Sequence, residues 1–335
     1  YLGVHAKKAK NITFNEFYQQ FEERYFSERK KTIKSEGTLL NYKRRYKAVF
    51  YGNEVITEFS VRDKIKKVPY DASKRTIVTL GKIILNSLGI EANLSDLIPR
   101  IKPQQRLIPT DKEIEEGILF FEKHFNEKVK GQKKYENNWV KYKTVYALLA
   151  VYGLRPREAV NNPNLDWLLS PENEHSTFKV HESNKTGYRE VFPFVPEWIE
   201  LFDLKNQSAL QMLKEYSFNK GTAIELSSKV NKIAGSFKSS GISFSPYDLR
   251  HACAIRAHLQ GVPIKAAADN LGHSVEMHTK VYQRWFGLEN RRKAFNQAFN
   301  QMSKVDELEA ENICLKKRIT ELETELTRCK LSQSI

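Results

Sequence analysis

The sequence predicts a mainly α-helical protein with one small antiparallel sheet, arranged as two folded domains and a helical extension. Apolar residues recur at three- and four-residue spacing through most of the chain, which is the helical period. One segment, 177–194, instead contains two short extended runs joined by a turn. A chain of 335 residues also exceeds what a single hydrophobic core ordinarily supports, so two domains are expected.

Residues 1–97 are predicted to form a helical domain. Phe14, Phe17, Phe21 and Tyr25 follow one another at three- and four-residue spacing, so they would line one face of a helix. Similar patterns recur through the rest of this region. We therefore expect several amphipathic helices that share a core of their own.

The same region carries most of the positive charge of the protein. The formal net charge is +15, and the first 110 residues hold 22 lysines and arginines against 11 aspartates and glutamates. A basic surface with interleaved aromatic residues is typical of proteins that contact nucleic-acid phosphates, although a solvated helical face gives the same pattern. We expect DNA contacts from two basic clusters, which comprise Lys43, Arg44, Arg45, Lys64, Lys66 and Lys67.

A proline-rich segment separates this domain from the next one. Residues 98–110 contain three prolines, which interrupt helical periodicity and indicate a linker. Thr110 has the chemistry of a helix N-cap and is followed by acidic residues, so residues 111–303 are predicted to form a second, larger domain. Residues 139–152 form a strongly apolar helical segment within it.

The sheet of the second domain is predicted to be a single hairpin. Residues 177–181 and 188–194 are short runs of strand-forming residues. They are joined by residues 183–187, Ser-Asn-Lys-Thr-Gly, whose composition is typical of a turn. Lys185 is therefore expected beside the tip of the hairpin.

Two segments of the second domain present arginines beside predicted helix starts. Residues 152–158 read Tyr-Gly-Leu-Arg-Pro-Arg-Glu, so that a glycine turn precedes Arg155. Residues 245–251 read Ser-Pro-Tyr-Asp-Leu-Arg-His, with Ser-Pro as a cap and first-turn proline and Arg250 one turn later. A guanidinium can donate two hydrogen bonds to one phosphate in a fixed planar geometry. A lysine ammonium is a point charge and does not provide that geometry.

A histidine and a tyrosine complete the set of polar residues. Residues 270–273 read Asn-Leu-Gly-His, and Tyr282 follows His273 nine residues later. These segments, in this order, resemble the motifs of the tyrosine recombinases of the phage-integrase family. The resemblance covers residues 12–300 and implies the helical core-binding domain and the catalytic domain of that family.

The resemblance also implies a role for each matching residue. Arg155 and Arg250 would clamp the scissile phosphate, and His273 would donate a hydrogen bond to a non-bridging oxygen. Lys185 would protonate the leaving 5′-oxygen, although Lys179 and Arg189 lie on the same hairpin. Tyr282 would attack the phosphorus and become a 3′-phosphotyrosine.

One position departs from the family pattern. The usual histidine of the second arginine motif is Tyr247 here. A phenol with an ordinary pKa of about 10 donates a hydrogen bond well at neutral pH but is a poor base. We therefore expect Tyr247 to orient the phosphate, and Glu158 and Asp248 to support the neighbouring cations.

The sequence predicts neither a cofactor nor a metal site. The cysteines Cys253, Cys314 and Cys329 form no pair or cluster with zinc-ligand spacing. No apolar run of about 18 residues is present to form a membrane helix, and the first ten residues lack a signal-peptide core. We expect a cytoplasmic, DNA-associated protein encoded by a bacterium, a phage or another mobile element.

The extension, residues 304–330, has the pattern of a parallel coiled coil. In a parallel dimer, the charged residues flanking the apolar seam would pair as Glu311 with Lys316, Arg318 with Glu323, and Glu325 with Lys330. An antiparallel hairpin back onto the catalytic domain is the competing arrangement. The heptad a and d positions are Val305, Leu308, Asn312, Leu315, Ile319, Leu322, Leu326 and Cys329.

The function implied by the resemblance is site-specific DNA recombination through a phosphotyrosine intermediate, without metal or ATP. The expected partners are double-stranded DNA at specific sites and further copies of this chain, as a coiled-coil dimer and as a tetramer on two sites. A type IB topoisomerase would share the same residues but needs no dimer. A DNA-binding protein that is catalytically impaired at Tyr247 is the third possibility.

Overall fold

The computed structural model confirms a mainly helical protein with one small antiparallel sheet. It describes residues 11–27, 29–69, 72–100, 108–128, 138–282 and 288–332, and within the helices it leaves some further side chains undescribed. The described helices are α1 (Phe14–Phe26), α2 (Ile33–Val49), α3 (Glu58–Lys66), α4 (Ala72–Asn86), α5 (Asp111–Lys128), α6 (Val140–Tyr152), α7 (Leu165–Leu169), α8 (Glu197–Leu201), α9 (Gln207–Tyr216), α10 (Ala223–Ser239), α11 (Pro246–Leu259), α12 (Ile264–Leu271), α13 (Val275–Tyr282) and α14 (Leu288–Ser332).

The chain divides into two compact units. The first contains residues 1–107 together with 218–232, and the second contains residues 108–217 and 233–335. Most of the predicted linker, residues 101–107, lies outside the described residues. No helix within the described part of the chain is long and apolar enough to cross a membrane.

The first unit is built around a cluster of aromatic rings. The predicted helix face of Phe14, Phe17, Phe21 and Tyr25 is buried. The rings of Phe14, Phe17 and Phe21 pack against the buried Tyr46 of α2. The Tyr46 hydroxyl donates a hydrogen bond of 2.8 Å to the Phe14 carbonyl. Because that hydroxyl is satisfied, a large polar aromatic side chain is accommodated in the core at little cost.

The second unit is built around α6. Its residues from Tyr142 to Tyr152 are buried at all positions except Lys143, as expected for a helix surrounded by others. The helices α5, α8, α9 and α11 contact it. The hydroxyls of Tyr146 and Tyr152 reach main-chain carbonyls of Ile114 and Ser176 at 2.7 and 2.6 Å. This core places the C-terminal end of α6 against the elements that carry the candidate site.

The predicted hairpin is present as two short strands, β1 (Phe178–Val180) and β2 (Arg189–Val191). They pair antiparallel, with Phe178 opposite Val191 and Val180 opposite Arg189. In the turn between them, Asn184 is buried and accepts a hydrogen bond of 3.0 Å from the Asn161 side chain. The turn is therefore held to the segment that follows the first arginine motif.

Gly153 closes α6 in a conformation that few other residues adopt. Its φ of +61° is in the left-handed region, and its amide donates to the Leu149 carbonyl. A Cβ at this position would lie 2.8 Å from a methyl group of Leu271 and 3.0 Å from the Cβ of Cys253. Helix α12 and helix α11 thus approach the end of α6 closely enough to require glycine.

We predict that Gly153→Ala lowers the free energy of unfolding by about 2–4 kcal/mol, because it combines left-handed backbone strain with overpacking. Gly261→Ala is the matched control, since its φ is +72° but no heavy atom lies within 4 Å of the added Cβ. The control should lose only about 1–2 kcal/mol. Urea unfolding of both variants measures the difference, and equal losses would contradict the packing argument.

Candidate active site

Three arginine side chains converge on the C-terminal end of α12. Arg189 Nε donates to the Asn270 carbonyl at 3.2 Å, and Arg155 Nη2 donates to the Gly272 carbonyl at 3.3 Å. Arg250 Nη2 donates to the carbonyl between them, that of Leu271. The last carbonyls of a helix lack partners within the helix and carry its negative dipole end, so they attract cations. Three successive carbonyls are thus each bound by a different guanidinium.

The carboxylate of Glu158 holds two of these arginines. It is 1% exposed and accepts hydrogen bonds of 2.7 Å from Arg155 Nη1 and 2.7 Å from Arg189 Nη2. It also accepts a hydrogen bond of 2.9 Å from the backbone amide of Arg155. Burial by itself raises the pKa of Glu158. The hydrogen bonds and charge of Arg189, with the charges of Arg155 and Arg250, outweigh burial and hold that pKa at about 2.

Arg250 is held from two further directions. It is 3% exposed, and its Nη1 donates to the Gly153 carbonyl at 2.6 Å, so the end of α6 fixes its position. Its Nη2 lies 2.9 Å from Nε2 of His273. Because a guanidinium can only donate, Nε2 of His273 is the acceptor and Nδ1 carries the ring proton.

His273 is electrically neutral in this environment. Burial lowers its pKa, and the charges of Arg250 and Arg155 lower it further, to about 3. The imidazole therefore stays uncharged at neutral pH and serves as a hydrogen-bonding group. Its backbone amide donates to the Ala268 carbonyl at 2.9 Å, which continues the end of α12 into the turn that carries it.

The arrangement has an excess of positive charge. Arg155, Arg189 and Arg250 bring three guanidinium groups together, and Glu158 neutralises the equivalent of one. A phosphodiester is a monoanion that accepts hydrogen bonds at its non-bridging oxygens, so this net positive charge would attract it. Charge that builds up on the phosphate during attack would be stabilised by donors already in position.

Helix α13 connects this turn to Tyr282, its last residue. The side chain of Tyr282 lies outside the described residues. One turn earlier, His278 is buried, and its Nε2 lies 3.1 Å from Nε2 of His258 on α11. Burial, His258 and Arg250 lower the pKa of His278 to about 4, so the pair is held by one N–H donating to a neutral ring nitrogen.

The other predicted site residues lie in the hairpin turn and in the first turn of α11. Lys185 is exposed in the hairpin turn. Tyr247 is 49% exposed in the first turn of α11. Asp248 is buried, and its Oδ2 accepts from the amide and hydroxyl of Ser245 at 2.8 and 2.7 Å, so it caps α11. Its contact with the N-cap positions the helix that carries Arg250.

The predicted DNA-contacting cations lie on α2 and at the end of α3 in the first unit. Three of the lysines form ion pairs with acidic side chains. Lys43 lies 2.5 Å from Glu22, and Lys67 lies 2.6 Å from Asp63. Lys64 lies 3.0 Å from Glu54. Such partly exposed pairs contribute little stability, so a phosphate could replace any of the three carboxylates at low cost.

Sequence reasoning missed two features of the cluster. Arg189 is predicted only as a rival to Lys185, whereas in the structure its partly buried side chain donates to Glu158 and to the Asn270 carbonyl of α12. The sequence predicts no role for His278, although its ring contacts that of His258 in the structure. Glu158, which follows Arg155 in the first arginine motif, is the sequence signal that could have indicated a second arginine partner such as Arg189. No local pattern pointed to the second, since the two histidines lie 20 residues apart.

Among the described residues, no group of three or more histidine, cysteine, aspartate or glutamate side chains is placed to hold a metal ion.

Residues 15–98 match the family described as the XisA/XisC excisase second domain. The chain is 40% identical over 334 residues to excisase C of Nostoc sp. strain PCC 7120, across 99% of this chain and 67% of the relative. Excisase A of the same organism is 38% identical over 321 residues, across 93% and 67%. The chain thus spans about two thirds of the length of both relatives. The lambda integrase tetramer bound to a Holliday junction is similar with a TM-score of 0.47 and 17% identity, over 80% of this chain and 78% of that one.

We predict that Glu158→Gln lowers the free energy of unfolding at pH 7 by about 3–5 kcal/mol, because it leaves the partly buried guanidinium groups of Arg155 and Arg189 without their carboxylate. The folded pKa lies below the unfolded value, so the carboxylate stabilises the fold above about pH 4.5. That contribution is lost as the pH falls from 4.5 toward 2. The difference between wild type and variant should therefore shrink below pH 4.5.

Denaturant unfolding between pH 7 and pH 3 tests this pH dependence. Glu182→Gln is the control, since Glu182 is exposed in the same hairpin turn. A constant difference between wild type and Glu158→Gln across the whole range would contradict a linkage to the Glu158 carboxylate.

Proposed function

The chain belongs to the XisA/XisC excisase family, and on this premise we propose that it is a site-specific DNA recombinase acting through a phosphotyrosine intermediate. The named relatives are excisases, so the direction favoured for this chain is excision of a DNA segment between two sites. The observation that carries the proposal is the convergence of Arg155 and Arg250 on the turn that presents His273.

The proposed chemistry starts from a phosphodiester bound by these three residues. The Tyr282 oxygen forms a bond to phosphorus, and the bond from phosphorus to the 5′-oxygen breaks. The phenol proton leaves to water or to the phosphate, and Lys185 supplies a proton to the departing 5′-oxygen. Tyr247, at the start of α11, orients the phosphate. A 5′-hydroxyl from a second strand then reverses the steps, and the retained ester energy makes ATP unnecessary.

The first unit would supply most of the affinity for DNA. Its cations on α2 and at the end of α3 match a polyanion, and several are held by carboxylates that phosphates can displace. Binding of this kind would weaken steeply with salt because counterions are released. Specific recognition of a base sequence would require further contacts to base edges.

We predict that the wild type forms a denaturant-stable covalent adduct with a suicide DNA substrate, and that Tyr282→Phe forms none. The substrate carries a nick beside the cleavage point, so that the cleaved strand is lost and rejoining is blocked. Its sequence is taken from the DNA that flanks the native gene. Denaturing electrophoresis detects the adduct, and a band shift of the native complex checks that both proteins bind.

Each alternative predicts a different result when the adduct experiment is combined with assays for relaxation of supercoiled DNA and for exchange between two sites. Binding without an adduct would indicate a DNA-binding protein that does not cleave. An adduct together with relaxation of supercoiled DNA, but without exchange between two sites, would indicate a type IB topoisomerase. An adduct formed equally well by Tyr282→Phe would assign the nucleophile to another residue.

We predict that Lys185→Ala slows cleavage by about 10²–10³-fold, because a leaving alkoxide needs a proton. A substrate with sulfur in place of the bridging 5′-oxygen should restore the rate, since a thiolate leaves without protonation. Lys179→Ala is the control on the same hairpin, because the Lys179 ammonium lies 3.1 Å from the centre of the Trp167 ring. Failure of the sulfur substrate to rescue Lys185→Ala would remove Lys185 from the proton-donor role.

A further inference from the structure

Helix α14 extends as one continuous helix from Leu288 to Ser332, well beyond the residues of the candidate site. At a rise of 1.5 Å per residue its 45 residues span roughly 68 Å. No break within the helix allows residues 304–332 to fold back against residues 288–303. The predicted coiled-coil segment is therefore presented as an extended rod.

One side of this rod is apolar and exposed. The described seam positions Leu308, Leu315, Ile319 and Leu322 are 52%, 56%, 54% and 47% exposed. They fall at heptad positions a and d, which form a stripe along one face of a helix. An exposed apolar stripe on an isolated helix is covered when a second helix packs along it.

We propose that the segment 308–322 of α14 pairs with the same segment of a second copy of this chain in a parallel, two-stranded coiled coil. Asn312 occupies an a position between Leu308 and Leu315. A single asparagine at such a position fixes the register and favours two parallel strands, because the two amides can then hydrogen-bond to each other.

The charges beside the seam select the parallel orientation. In a parallel pair, Glu311 faces Lys316 of the other copy, and Arg318 faces Glu323. In the fully overlapping antiparallel pair, Lys316 would face Lys316 of the other copy, Arg318 would face Arg318, and Glu309 would face Glu323. Each of those antiparallel contacts joins like charges, so repulsion disfavours that arrangement.

A parallel pair has a two-fold axis along the coiled coil. The two chains leave its N-terminal end side by side and are related by that axis. If the proposed function holds, this symmetry matches a DNA site made of two inverted half-sites. The pairing itself depends on no catalytic property, so it is tested without DNA.

Sedimentation equilibrium of the full chain at micromolar concentration tests the pairing. The wild type should have twice the mass of the 39.0 kDa chain. Leu315→Glu should reduce it to one chain, because it places two carboxylates in the seam. Ile313→Glu is the matched control, since Ile313 is 70% exposed on the same helix but lies outside the seam.

Circular dichroism checks that both variants remain folded. A wild type that stays at the mass of one chain at tens of micromolar would overturn the proposal. Equal effects of the two substitutions, or no effect of either, would overturn the assignment of the seam. None of these results bears on formation of the Tyr282 adduct, so failure here is distinct from failure of the proposed function.

Disulfide trapping tests the orientation. Leu308→Cys is made in a chain that also carries Cys314→Ser and Cys329→Ser. In a parallel pair the two introduced thiols face each other, and mild oxidation should yield a covalent dimer. In the antiparallel pair they lie about 27 Å apart along the axis, so a dimer without a crosslink would overturn the parallel arrangement.

Discussion

The candidate site depends on one buried carboxylate. Glu158 lies where water cannot solvate it, and its charge is tolerated because Arg155 and Arg189 donate to it directly. The same contacts fix two guanidinium groups that would otherwise sample many rotamers. Arg189 in turn ties the hairpin to the end of α12, so strand, turn and helix are positioned by a single ion-pair network.

The C-terminal end of α12 also holds the arginines in position. Its last carbonyls and the negative end of its dipole bind guanidinium groups from three separate elements of the second unit. Gly153 allows α6 to end close enough for its own carbonyl to bind Arg250 as well. The arginines are therefore held before any anion arrives, which is the condition for electrostatic stabilisation without reorganisation.

The histidines in this cationic environment remain neutral. His273 accepts from Arg250 and stays uncharged, because burial and the surrounding positive charge depress its pKa to about 3. His278 and His258 form a second neutral contact, one turn before the end of α13. That contact fixes the helix whose last residue is Tyr282, so the backbone of the proposed nucleophile is linked to α11.

Local patterns in the sequence determined the helical class, the hairpin, the helix caps and the arginine, histidine and tyrosine motifs. The resemblance to tyrosine recombinases was visible in those motifs, and the similarity to excisases C and A bears it out. These features depend on residues within a few positions of one another, where helical and strand periods act. The pairing of Glu158 with Arg189 and the contact between Arg250 and Gly153 join residues 31 and 97 positions apart. Only tertiary packing decided them, because no local period specifies which distant side chains share a buried site.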